Sequence, residues 1–152
     1  IKVDIIEASI SSHHGDNYLD LYKKNILMNK FISKDVGVNT ISSYKRASNI
    51  TDKAGKGITG RPDAVLFRTE EEKILYERVN EVRKALTVKE SNKDYEKLLI
   101  QLSEMKQYTD NFFDNVVVND ENQNIKNNRL ELLKMFCKTF DNFINFSKLE
   151  GL

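Results

Sequence analysis

From Ile125 onwards the chain sets apolar side chains at Leu130, Leu133, Phe136, Cys137, Phe140, Phe143 and Ile144. That three-and-four-residue rhythm becomes a single face only on a helix. With Phe146 just beyond, the stripe carries four phenylalanines, and such a helix is stable only against partners. Upstream, Asp110 to Val118 places Phe112, Phe113, Val116 and Val117 at helical spacing, and the polar run Asn119 to Asn124 separates the two patterns. The pair reads as a helical hairpin within a bundle. The rhythm by itself names no function.

The remainder predicts an all-α fold, an antiparallel bundle of six or seven helices joined by short loops, because 152 residues contain only six Gly and one Pro. That length suits one domain with one core. Residues 1–37 form the N-terminal helices. The first, a short helix or the tail of a longer one, is expected over Lys2 to Ser12, with apolar residues at Val3, Ile6 and Ile10 and Ile5 beside them. After a loop holding His13 and His14, Asp16 caps a second helix that buries Tyr18, Leu19, Tyr22, Ile26, Phe31 and Ile32. Gly37 interrupts, and Asn39 or Thr40 caps a third helix, Ile41 to Lys53, with Ile41, Tyr44, Ser48 and Ile50 inside. Gly55, Gly57 and Gly60 then make a flexible loop, and Pro62 opens a turn burying Val65, Leu66 and Phe67. Thr69 with Glu72 is a capping box for a helix facing Leu75, Val79, Val82 and Leu86 inward. Ser91 or Asn92 caps the next helix, with Tyr95, Leu98, Leu99, Leu102 and Met105 inward; Tyr108 to Val118 follows as a separate helix. The chain begins at Ile1 without Met and reads as a piece of a longer protein.

Several function classes are poorly served. No segment approaches the ~20 apolar residues of a membrane span, and the N-terminus lacks the order of a signal peptide. His13 and His14 have no third ligand to complete a metal site. The three glycines lack the Gly-Lys-Ser/Thr of a P-loop. Cys137 lies on the core stripe, so it reads as a buried structural thiol, which suits a reducing cytoplasm. No arrangement for nucleophilic catalysis is present.

Charge is distributed unevenly. Net charge is only +1, yet residues 41–68 hold six cations (Lys45, Arg46, Lys53, Lys56, Arg61 and Arg68) against Asp52 and Asp63. Residues 69–152 hold thirteen cations against sixteen acids. The middle stretch is therefore the candidate phosphate-facing patch. On the third helix Arg46, Asn49 and Lys53 fall at i, i+3 and i+7 and share one face. Arg46 and Asn49 stand among Lys45, Lys53, Lys56 and Arg61, cations that suit a phosphate backbone, with Tyr44 half buried beside them; on spacing alone an ordinary solvated face is the other reading. Lys126, Asn128 and Arg129 form a second candidate group. For Arg129 two roles stand open: RNA contact, or an ion pair with Asp110 or Asp114 that locks the hairpin.

The string Thr109 to Phe136 resembles the end of the helical anticodon-binding domain of class I arginyl-tRNA synthetases and of bacterial glycyl-tRNA synthetase β subunits, the DALR-type bundle. The residues that carry it are Phe112-Phe113-Asp114, Val116 to Val118, Asp120-Glu121 and Asn128-Arg129-Leu130. Upstream, Tyr44 to Ile50 is similar to the β subunit's Lys-Arg-x-x-Asn-Ile helix, and Asp63 to Glu77 to its following segment. The likeness covers about Ile41 to Phe146. Tyr108-Thr109 stands where Pro-Val is usual, and Val116 to Val118 where a Met-rich run is usual.

That resemblance implies tRNA binding without a catalytic site in this domain. The implied partners are tRNA-Gly and a catalytic α subunit in an α2β2-type assembly, which would hold the ATP and Mg. An arginyl-tRNA synthetase domain is the nearer alternative, although the Phe146 to Leu152 tail departs from that family. A helical protein-interaction module with a merely solvated third helix is the more distant one.

Overall fold

The computed structural model describes residues 2–12, 18–87 and 94–149. Among them are six α-helices and no strand: α1 (Val3–Ser12), α2 (Tyr18–Ile32), α3 (Asp35–Ala54), α4 (Glu70–Leu86), α5 (Tyr95–Asn115) and α6 (Gln123–Phe143). Short 3₁₀ turns occupy Ala64–Leu66 and Phe146–Lys148. The all-α expectation is met. His13, His14, Asp16, Ser91 and Asn92 lie outside the described residues.

Helices α3 to α6 make a four-helix square. α3 packs against α5 and α6, α4 packs against the same two, and the diagonals are α3–α4 and α5–α6. Tyr44 reaches Asp141 while Thr59 reaches Glu131, so α3 runs antiparallel to α6. α1 and α2 close one end, where the Asn145 N–H donates to the Ala8 carbonyl at 3.1 Å. The centre is the stripe read from the sequence: Leu133, Phe136, Phe140 and Phe143 are buried, as is Phe146. Phe140 meets Phe136 and Phe146 edge-on at 4.8 and 5.1 Å between centroids. Pairs of this kind contribute ~0.5–1.5 kcal/mol beyond their buried area.

The two N-terminal helices depart only in part from the faces expected: Ile5 of α1 and Phe31 and Ile32 of α2 are buried as read, while other positions differ. In α1, Ile5, Ala8 and Ser9 are buried, whereas Val3, Ile6 and Ile10 are exposed. In α2, Lys24, Asn25 and Met28 are buried, whereas Leu19 and Tyr22 are exposed. The reason is a polar seam. The Ser9 hydroxyl donates to Asn25 Oδ1 at 2.6 Å, and the Lys24 ammonium lies 5.4 Å from the ring centroids of both Tyr95 and Phe143. Counting apolar residues mis-phases a helix whose inner face is partly polar.

Other boundaries shift for local reasons. α3 starts at Asp35, not at Ile41, and Gly37 lies within its first turn. Thr40 does not cap; its hydroxyl donates to the Val36 carbonyl inside the helix. Asp63 accepts from the Val65 N–H, which turns Val65 outward and leaves Phe67 as the buried residue of that turn. The Thr69–Glu72 capping box forms as expected. Asp94 caps α5, which runs unbroken through Thr109 and Phe112 and so absorbs the separate helix expected from Tyr108.

Candidate nucleic-acid interface

The third helix buries Ile41, Tyr44, Ala47 and Thr51, so its inner stripe includes Ala47 and Thr51 while Ser48 and Ile50 are half-buried. The complement of that stripe is a polar face. Arg46, Asn49 and Lys53 are all exposed there, with Lys45 half-buried alongside. The Arg46 guanidinium lies 4.0 Å over the Phe113 ring, across the α3–α5 seam. That contact seats the cation against an aromatic face at the surface, and a guanidinium placed there suits stacking by an unpaired base.

Tyr44 does not belong to this face. It is buried, and its hydroxyl donates to Asp141 at 2.9 Å, pinning α3 to α6. Burial, followed by the negative charge of Asp141, pushes the phenol far above its ordinary range. No base reaches it.

The glycine-rich loop is not the flexible element expected. Glu131 of α6 accepts from the Thr59 N–H at 2.9 Å and from the Arg61 N–H at 2.6 Å. Lys138 donates to the Thr59 carbonyl. Burial works to raise the Glu131 carboxyl, but the N–H groups of Arg61, Thr59 and Gly60 outweigh it and hold the group below its usual range. Gly60, at φ +86°, packs 3.2 Å from the Met135 backbone at the position a Cβ would take. The strap thus carries Arg61 across α6, away from Arg46; Lys56 stays exposed in the loop. Nothing in the composition of α6 marked Glu131 as the clamp, since it looks like any carboxylate on an outer face.

The second group divides as well. Lys126 is half-buried. Asn128 is buried and grips the backbone of Asp63, accepting from its N–H at 2.7 Å and donating to its carbonyl at 2.9 Å. Arg129 is buried too: Nε and Nη2 donate to Glu72 Oε1 at 3.2 and 3.1 Å, and Nη1 to the Val117 carbonyl at 2.6 Å. Its partners are Glu72 and Asp120, not Asp110 or Asp114; Asp110 pairs instead with Lys106 on its own helix. Arg129 therefore organises the bundle, and of the two roles left open for it the structural one has formed.

No group of three His, Cys, Asp or Glu that could hold a metal occurs among the described residues, and none of their helices is long and apolar enough to cross a membrane. What the fold presents is a helical binding module with a cationic outer face. The chain belongs to the DALR anticodon binding domain family, whose model matches residues 40–150. It is 41% identical over 148 residues to the glycine–tRNA ligase beta subunit of Rickettsia felis, covering 97% of this chain and 22% of that protein. It is 40% identical over 133 residues to the corresponding subunit of Rickettsia prowazekii, covering 88% and 20%. The chain spans about a fifth of the length of these curated relatives.

Proposed function

We propose that this chain is the anticodon-binding domain of a glycine–tRNA ligase β subunit and that α3 meets the RNA. The names of the relatives favour the glycine enzyme over the arginine one. The observation that carries the role of α3 is the Arg46–Phe113 stack, with Asn49 and Lys53 exposed on the same face. Arg46 takes an unpaired base on its plane, Asn49 reads a base edge, and Lys45, Lys53 and Lys56 hold phosphates. A base stacked in this way is worth roughly 1–3 kcal/mol. The domain binds tRNA-Gly in the cytoplasm, while a catalytic α subunit, in an α2β2-type assembly, supplies ATP, Mg and the aminoacylation chemistry.

The test is fluorescence anisotropy with labelled tRNA-Gly and a non-cognate tRNA, titrated at several salt concentrations. Arg46→Glu with Lys53→Glu is expected to weaken tRNA-Gly binding at least tenfold without moving the thermal midpoint. Failure of the unmodified chain to prefer tRNA-Gly, with no response to salt, would sink the reading.

A further inference from the structure

Arg61, Arg83 and Lys138 converge on a cleft of about 420 Å³ at the α4–α6 seam, lined also by Thr59, Asp141 and Asn142. The acids beside it are already occupied. Asp141 accepts from the Tyr44 hydroxyl and, at 3.0 Å, from the Phe146 N–H. Glu131 is taken up by the strap. Arg61 and Arg83 are exposed, and neither guanidinium has a carboxylate partner among the described residues. The strap is fixed by Glu131 and by the close seat of Gly60, so Arg61 is presented at a set place. No aromatic ring lines the cleft, which removes the platform a base needs and leaves charge as the means of recognition. The α4–α6 and α3–α5 seams lie on opposite sides of the four-helix square.

We propose that this cleft seats phosphodiesters of the bound RNA, as a second contact separate from the α3 face. Resting on the reading that the chain binds tRNA, it adds that the RNA touches two sides of the bundle: bases and phosphates at α3, phosphates alone between α4 and α6.

The test compares two pairs of substitutions in the same chain by tRNA-Gly anisotropy across salt. Arg61→Gln with Arg83→Gln removes the two unpartnered cations, and thermal melting checks that the fold is kept. Two lost phosphate contacts are expected to lower affinity at least tenfold and to make the slope of log K against log salt shallower by about 1.4–1.8. Arg46→Gln with Lys53→Gln serves as the reference, and the two losses are expected to add, as separate sites do. If the cleft pair binds and responds to salt like the unmodified chain while the α3 pair fails, the cleft proposal is overturned and the α3 reading stands. If the unmodified chain does not bind tRNA-Gly at all, the reading falls and takes the cleft with it.

Discussion

Arg129 Nη2 stands 3.1 Å from Glu72 Oε1 with both side chains buried, so the first turn of α4 and the second turn of α6 are joined by an ion pair inside the bundle. The same Glu72 closes the capping box of α4 by accepting at Oε1 from the Thr69 N–H, and the same guanidinium holds the Val117 carbonyl before α6. One pair thus orders three segments. Removing one partner leaves a buried charge, so Arg129→Ala is expected to destabilise the chain by ~3–5 kcal/mol. Arg129→Lys should recover little, because an ammonium does not reproduce the forked donors. Urea midpoints at unchanged m-value check both.

The contrast between Phe140 and Lys24 explains what the sequence could tell. The α6 stripe was legible because every inward position on it from Phe136 to Phe143 is apolar or a threonine bonded to its own helix (Thr139 donates to the Met135 carbonyl). The Thr69–Glu72 box was legible because its two side chains act locally. Lys24, Asn25 and Ser9 defeat such reading, since their burial depends on partners in other helices. The interface divides in the same way. The shared face of Arg46, Asn49 and Lys53 follows from helical spacing alone. That Arg61 lies across α6 follows from Glu131, seventy residues away, and no local pattern announces such a clamp.

Gly37 marks the place where α2 turns into α3. A Cβ built there would stand 1.9 Å from the Phe31 carbonyl oxygen and 2.6 Å from its carbon, both backbone atoms that cannot swing aside. Gly37→Ala must therefore push the corner apart, although alanine is the better helix former. We expect a loss of ~1–3 kcal/mol or more, with exchange protection falling first in α2 and the start of α3. A neutral or stabilising result by urea melting would show that the corner yields easily.

Two carboxyls make opposite demands on acid stability. Burial raises Asp141 above its ordinary 3.8, against the hydrogen bonds from Tyr44 and Phe146. Its contribution is full below that ordinary value and is lost as pH rises through the folded one. Glu131 is held below its ordinary 4.5 despite burial, by the strap's N–H groups. Its contribution is present above 4.5 and is lost as pH falls through the folded value. Asp141→Asn keeps an acceptor for Tyr44 and should remove a term that weakens the wild type with rising pH. Glu131→Gln should do the reverse, its deficit shrinking on acidification. Urea midpoints from pH 3 to 7 read both slopes; parallel curves for the two variants would contradict the assignment.

Cys137 offers a probe of how the bundle opens. Its sulfur is buried, 4.0 Å from the Tyr44 carbonyl oxygen of α3. Burial first, and then the charge of Asp141, push the thiol far above its ordinary range, so the native chain presents almost no thiolate. Alkylation then requires α3 to leave α6. Because α3 is one corner of the square and Tyr44 is pinned to Asp141, that departure should coincide with global unfolding. The rate with a small maleimide should follow the unfolded population. Arg129→Ala, which touches neither Cys137 nor α3, is then expected to speed alkylation by roughly two to four powers of ten, matching its ~3–5 kcal/mol loss. An unchanged rate would mean that α3 opens by itself, and a helix that lifts freely would not hold the Arg46 plane against Phe113 for a base.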